Sequence, residues 1–303
     1  MALCAIWALF GLGPAHAGQP ETLPARTQKT AHFAPHPAIW KLSDSDTTIY
    51  LLGTTHALPK HFRWQSPALK KVIQSADELV VESLDTPDTK TKTDATVDDA
   101  LNPVVDHNPI LGRVSAEKRP ALQRAIARTD FPEQFYDAMP TWMAGLVLAV
   151  ENMAKDGKTK ADGVETVLER QFRGAKKPVA AVEDGAAILN ALRHLPETAQ
   201  IKMLEGTLDD IDGTSDIAAL AADQAWAQGD IEALGKDFTP DSLGPDLYDV
   251  LILKRNKAWA QWLTTRLERP GTVVFAVGAG HFAGPDALPK MLETKGLKIE
   301  RQF

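Results

Sequence analysis

Ile49-Tyr50-Leu51-Leu52-Gly53-Thr54-Thr55-His56-Ala57-Leu58-Pro59 is echoed near the other end of the chain by Val273-Val274-Phe275-Ala276-Val277-Gly278-Ala279-Gly280-His281. In both stretches an apolar run stops at a glycine, and a histidine follows three residues later. Short runs rich in β-branched and aromatic residues read as buried strands. The glycine lets the backbone turn sharply or pass close to a neighbour. Each histidine then stands just beyond the carboxyl end of its strand, the edge where open α/β sheets hold their ligands. Two such histidines predict one shared site on one sheet edge.

Two further apolar runs end at an acid: Glu78-Leu79-Val80-Val81 at Glu82, and Val179-Ala180-Ala181-Val182 at Glu183. Ile39 to Leu42 and Thr48 to Leu52 read as a hairpin about Ser43-Asp44-Ser45-Asp46. Ser66-Pro67 opens a helix to about Ala76, with Ser as cap and Pro at the first position. Helical spacing recurs over 115–129, 132–155, 163–173 (capped by Asp162), 185–194, 197–208, 215–228, 230–236 and 243–267. Residues 285–295 form a closing helix and 297–302 a last strand. Asp85 to Asn102, rich in Asp, Thr and Lys, reads as a mobile surface loop. The apolar stretch Met143–Val150 is too short to span a bilayer and reads as a core helix. The fold class expected is α/β: a mixed sheet built from both ends of the chain, with a large helical middle inserted at about 103–268.

The chain has 303 residues, a formal charge of −7 and 44% hydrophobic content. That suits a globular protein and offers no basic footprint for nucleic acid. Ala2 to Gly13 is apolar and ends in Pro14-Ala15-His16-Ala17, a small-x-small pattern of the signal-peptidase type. Cleavage after Ala17 would leave Gly18, then a polar, proline-bearing leader over 18–37, then the domain over 38–303. A disordered or buried N-terminal helix is the alternative. The single cysteine, Cys4, falls inside the segment that would be cleaved. Its removal would exclude disulfides, cysteine nucleophiles and thiolate metal sites. The expected location is periplasmic or secreted, with no membrane anchor after cleavage. No Walker loop, Gly-x-Gly-x-x-Gly turn or Gly-x-Ser-x-Gly elbow is present.

If the four strands share a sheet and run the same way, His56, Glu82, Glu183 and His281 gather at one edge. Two neutral imidazoles and two carboxylates suit a hard or borderline divalent ion, Mn, Co, Fe or Zn. Such an ion polarises a carbonyl and acidifies water. Without one, a His/Glu pair can still do acid–base work on a water. Each element also has a structural reading: a strand-end histidine is often only hydrogen-bonded, and Glu183-Asp184 doubles as an N-cap. Arg255-Asn256, in a run of Lys and Arg, reads as a solvated helix face unless Arg255 is buried, where it would clamp a carboxylate in bidentate fashion. His61, close after His56, reads as a surface residue, the alternative being a place at the mouth of the site; His16, His32, His36, His107 and His194 lack a strand-end context.

Taken together, Gly53-Thr54-Thr55-His56, Gly278-Ala279-Gly280-His281, Val81-Glu82, and Arg255-Asn256 followed by Trp259 resemble the TraB/GumN family, which includes the Tiki proteases. The resemblance runs from about Ile39 to the end. It implies an α/β domain related to the erythromycin-esterase-like and ChaN-like folds. For Tiki members it implies metal-dependent peptide hydrolysis, which carries over to His56, His281 and Glu82 as metal ligands. The leading expectation is therefore an exported, metal-dependent hydrolase of peptide or amide bonds. His56 and His281 would bind the divalent ion, Glu82 would be a third ligand or the general base for the attacking water, and Glu183 and Arg255 would orient groups or stabilise charge. Its substrate would be a peptide or small molecule. The alternatives are a metal-free His/Glu esterase and a periplasmic binding protein for a small ligand or haem.

Overall fold

The computed structural model describes residues 34–101, 108–213 and 216–303, and the side chains of all of these except 212–221. The segment 1–17 expected to be cleaved, with Cys4 and His16, lies outside the described residues, as do His32 and His107. So does most of the polar stretch 18–37, although the His36 N–H already donates to the Ala227 carbonyl at 2.8 Å.

The strands are β1 (Ile39–Ser43), β2 (Thr47–Thr54), β3 (Leu58–Pro59), β4 (Glu78–Val81), β5 (Lys158–Thr159), β6 (Val179–Ala181), β7 (Gly271–Gly278) and β8 (Ile299–Arg301). Six of them form one sheet in the order β6-β4-β7-β2-β1-β8. β6, β4, β7 and β2 are mutually parallel, and β1 and β8 add antiparallel partners at the far side. The four strands that carry the candidate residues are thus neighbours running one way. Their carboxyl ends are in register: Thr54 faces Gly278, and Val81 lies between Ala276 and Ala181.

Both faces of the sheet are covered, which explains why the strands read as unbroken apolar runs rather than alternating ones. On one face Leu52, Leu79, Val81, Val274 and Ala276 pack against Leu69, Ile73, Leu168 and Phe172 of helices Pro67–Ser75 and Val164–Gly174. On the other, Ile49, Leu51, Val80, Val273 and Phe275 meet Trp259, Leu263, Leu288 and Leu292 of helices Lys254–Arg266 and Leu288–Thr294. Complete burial of a side chain such as Phe275 contributes roughly 1.5–3 kcal/mol. The helical middle has its own core, in which Trp142, Met143 and Leu146 of Thr141–Lys155 pack with Met203, Leu204 and Leu208 of Glu197–Gly213. No helix among the described residues is long and apolar enough to cross a membrane.

Several local expectations are corrected. Residues Pro87–Leu101 are helical, not a loop. Thr86 and Thr89 cap this helix reciprocally, Pro87 starts it, and Lys92 pairs with Asp88 one turn back and with Asp184 across a gap. Low apolar content hid a helix stabilised by its cap and by ion pairs. The helix expected over 132–155 is two, Glu133–Asp137 and Thr141–Lys155, because Pro140 cannot continue the first. The helix at 115–129 is shorter, Arg119–Ala127, and Gly163 rather than Asp162 caps Val164–Gly174. The long helix over 243–267 carries a π turn at Asp249–Leu253, directly before Arg255. Such turns recur at functional sites.

Candidate functional site

The β2 strand delivers His56 to the sheet edge, and the chain after it is fastened at once. The Thr55 carbonyl accepts from Val164 N–H at 3.0 Å, and β3 pairs with β5. This brings the first turn of helix Val164–Gly174 against the histidine. His56 Nδ1 lies 2.7 Å from Glu165 Oε1, and the Thr54 hydroxyl donates to the same oxygen. Glu165 is buried, so its charge is balanced by these contacts rather than by water. The other ring nitrogen, His56 Nε2, is buried and has no hydrogen-bond partner among the described residues.

His281 is fixed differently. Asn256 Nδ2 donates to two carbonyls, those of His281 (3.1 Å) and Asp286 (2.8 Å). Its Oδ1 must therefore face the ring, 2.7 Å from His281 Nδ1. That assigns the ring proton to Nδ1 and leaves Nε2 as an acceptor. The Nε2 atom takes an N–H from Arg255 Nη1 at 3.0 Å.

Arg255 is the hub. It is 5% exposed, lies against the Trp259 ring, and is not the solvated residue that its neighbours Lys254 and Lys257 suggest. Its Nε and Nη2 donate to Glu183 at 3.0 and 2.5 Å. Nη2 also donates to Glu82 Oε2 at 2.5 Å, and Nη1 to the Leu251 carbonyl at 3.1 Å and to His281. All five N–H groups of the guanidinium are thereby used. Glu82 Oε1 accepts from the Gly278 N–H at 2.6 Å. A Cβ on Gly278 would stand 3.1 Å from that oxygen, 3.6 Å from His56 Nε2 and 3.7 Å from the His281 ring. The glycine is needed for close approach, not for a left-handed turn, and the space above it is where the candidate residues converge. The same holds at Gly53, whose Cβ would meet Ala279 at 3.3 Å.

The protonation states follow from these contacts. Burial opposes the charged form of His56, but the Glu165 carboxylate outweighs it and raises the imidazole above its usual value. Burial would also raise Glu165, yet His56 and Thr54 hold it low. In Glu82 burial is outweighed by Arg255, helped by both histidines and the Gly278 N–H, so the carboxyl is held low. Glu183 shares the same guanidinium, but there burial wins, Glu82 adds repulsion, and the carboxyl is raised. His281 is pushed well below the usual range by burial and by Arg255, and stays neutral. Two carboxyls on one guanidinium are thus driven apart, the pattern of an acid and a base sharing a site.

All five expected residues, His56, Glu82, Glu183, Arg255 and His281, are brought into one cluster. Asp184, not Glu183, caps the following helix, through the Ala186 N–H. His61 is exposed, as expected. Glu165 was missed. Its signal was an acid on an apolar stripe, since Glu165, Leu168 and Phe172 share one face at helical spacing.

The donors fit a divalent ion in kind. Each histidine has its Nδ1 tied by an outer partner, Glu165 or Asn256, which is how metal-ligating imidazoles are oriented. The buried, unpartnered His56 Nε2 is a ready ligand atom. In the arrangement described, Arg255 holds His281 Nε2 and Glu82 Oε2, and no group of three or more His, Cys, Asp or Glu among the described residues is arranged around an ion.

His56 opens onto two cavities. One, of about 270 Å³, is polar, with Glu82, Asp85, Lys160, Glu165 and Glu169 on its wall. The other, of about 50 Å³, is walled by Asp223, Trp226, Leu234, Phe238 and Ala279.

Comparison of the sequence with known proteins finds relatives over most of the chain. The Escherichia coli (strain K12) protein named "Uncharacterized protein YbaP" is 27% identical over 257 residues, 84% of this chain and 92% of that protein. The Shigella flexneri protein of the same name is 27% identical over 244 residues, 80% and 87% of the two chains. No solved structure matches. A sequence model of the TraB/PrgY/gumN family matches residues 38–301, from the first strand of the sheet to the last, so the chain belongs to the TraB/PrgY/gumN family.

Proposed function

We propose that this protein is an exported hydrolase of peptide or amide bonds in which His56 handles the proton of the attacking water. The supporting observation is the His56 side chain itself: Nδ1 is tied to a buried carboxylate, while Nε2 is buried, unpartnered and faces the space above Gly278. A base must be oriented on one side and free on the other. His56 Nε2 takes a proton from a water as its oxygen bonds to the substrate carbonyl carbon. Glu165 stabilises the imidazolium so formed. That proton then passes to the leaving nitrogen as the carbon–nitrogen bond breaks. Arg255 does not need to move a proton; it holds Glu82 and Glu183 in place and keeps the site's buried negative charge partly balanced, while the neutral His281 accepts from Arg255 Nη1 and so helps to orient the guanidinium.

A second reading adds a divalent ion held by His56, His281 and Glu82, favoured by the anchored Nδ1 atoms of both histidines. It would supply a Lewis acid for the carbonyl oxygen. The test is turnover of a panel of peptide anilides and activated esters before and after exhaustive chelation, with bound metal measured in parallel. Turnover is expected in the intact protein and not in His56→Gln. Unchanged turnover in His56→Gln rules the proposal out, and loss on chelation with recovery on adding Mn or Zn selects the second reading. Sequencing the N-terminus of the protein from a periplasmic fraction is expected to begin at Gly18; an intact Met1 refutes export by cleavage.

A further inference from the structure

The smaller cavity beside His56 is lined by Asp223, which carries a second buried polar atom without a partner among the described residues. Asp223 is 5% exposed, and its Oδ1 accepts from Lys158 Nζ at 2.9 Å. Its Oδ2 is buried and has no hydrogen-bond partner among the described residues. Leaving a carboxylate oxygen dry and unpaired is costly, so an atom in this state calls for a ligand donor. His56, whose Nε2 is likewise buried without a partner among the described residues, lines the same cavity. Between the two, the wall is apolar and aromatic: Trp226, Leu234, Phe238 and Ala279. The indole N–H of Trp226 is already given to the Gly53 carbonyl at 2.9 Å, so its ring presents only its faces and edges.

Charge decides what kind of donor belongs there. The buried or half-buried ionic groups around His56 are Glu82, Glu165, Glu169, Glu183 and Asp223 against Lys158, Lys160 and Arg255, five negative and three positive. A neutral His56 leaves the neighbourhood at a formal −2. A cationic donor is favoured over a neutral one, and aromatic walls favour ammonium further. Size limits it as well. A volume of about 50 Å³ holds only a few non-hydrogen atoms, because one water needs roughly 10–15 Å³ on this measure.

We infer that this cavity is an amine-binding subsite: Asp223 Oδ2 accepts from the primary ammonium of a small substrate residue and so positions its carbonyl at His56. The substrate class is then a peptide or amide with a free amino terminus on a small residue. The inference rests on the hydrolase reading for the role of His56, but the binding it requires can be measured without turnover.

Calorimetric titration of the full-length protein with L-alaninamide, N-acetyl-L-alaninamide and L-leucinamide separates the possibilities. L-Alaninamide is expected to bind at least about tenfold more tightly than its N-acetyl form, since a hydrogen bond to a charged group is lost on acetylation. L-Leucinamide should bind more weakly because its side chain exceeds the cavity. Asp223→Asn should remove the preference for the free amine, and the wild-type comparison stands even if that variant fails to fold. Equal binding of the free and acetylated amides overturns the subsite, as does an unchanged preference in folded Asp223→Asn. Preferred binding of the free amine with no hydrolysis of any amide keeps the subsite and refutes the hydrolase.

Discussion

Arg255→Met is expected to lower stability at pH 7 by about 3–5 kcal/mol, the usual cost of removing one partner from a buried ionic group. Met matches the side-chain stem and keeps contact with Trp259, so the loss reports mainly the charge. The variant leaves Glu82 and Glu183 beside each other with no guanidinium between them. It also leaves His281 Nε2 and the Leu251 carbonyl without their donor. The pH dependence makes the test sharper. In the intact protein Glu82 is held below its ordinary value of 4.5, chiefly by Arg255 working against burial. The folded state therefore binds this proton less readily than the unfolded chain. That stabilisation is present above about pH 4.5 and is lost as pH falls through the folded value. In Arg255→Met only burial, the neighbouring Glu183 carboxylate and the histidines remain. The carboxyls rise above their unfolded values, and stability should increase as pH falls from 7 towards 4.5. Urea denaturation at pH 7 and pH 4.5 should show a larger gain in stability on acidification for Arg255→Met than for the intact protein, whose Glu82 contribution is lost only below that window. Glu82→Gln added to Arg255→Met should recover part of the loss at pH 7, a non-additivity of about 0.5–3 kcal/mol. A loss under 1 kcal/mol with an unchanged slope would mean that Arg255 is not the buried hub described. Arg255→Lys should resemble the Met variant more than the intact protein, because one ammonium offers three donors and no planar fork.

The strand-end residues were legible because a buried parallel strand leaves a plain trace: a run of apolar residues with a polar one at its end. His56, Glu82, Glu183 and His281 all carry that trace, and the sheet places their four strands side by side. Arg255 was half legible. Its run of basic neighbours reads as a solvated face, and only the packing of Trp259 against both its guanidinium and His281 shows that the helix turns it inward. Glu165 and Asp223 were not legible from strand logic because both lie on helices of the middle region, where side-chain direction depends on tertiary packing. The helix at Pro87–Leu101 was misread for a different reason. Its stability comes from a reciprocal cap and ion pairs, and hydrophobic periodicity does not register either.

Glu165→Gln is expected to lower turnover by about 10²–10⁴-fold, the range for a misplaced or weakened acid–base group. The substitution is chosen because Gln keeps an oxygen able to accept from His56 Nδ1, and so removes the charge more than the contact. The intact His56 is raised above 6.5 by Glu165, with burial opposing it. Only the neutral ring can act as base, so kcat/KM should climb with pH through a limb centred above 6.5. Without the Glu165 charge, burial and the positive charge of Arg255 meet only Glu82 in opposition. The limb should then move below 6.5 while the plateau falls. A merely structural lesion lowers the plateau without moving the limb in that direction, so the shift carries the inference. Titration of the His56 Cε1–H resonance gives the same quantity without a substrate, and should follow the kinetic limb in both proteins. Stability should move in a related sense. The raised His56 contributes stability below its unfolded value near 6.5 that is lost as pH rises through the folded value. Glu165→Gln should remove that contribution, so the two proteins should differ more in urea resistance at pH 6 than at pH 9 in this respect. If the kinetic limb stays in place while turnover collapses, Glu165 positions His56 without tuning it, and the proton-handling role of this pair is refuted.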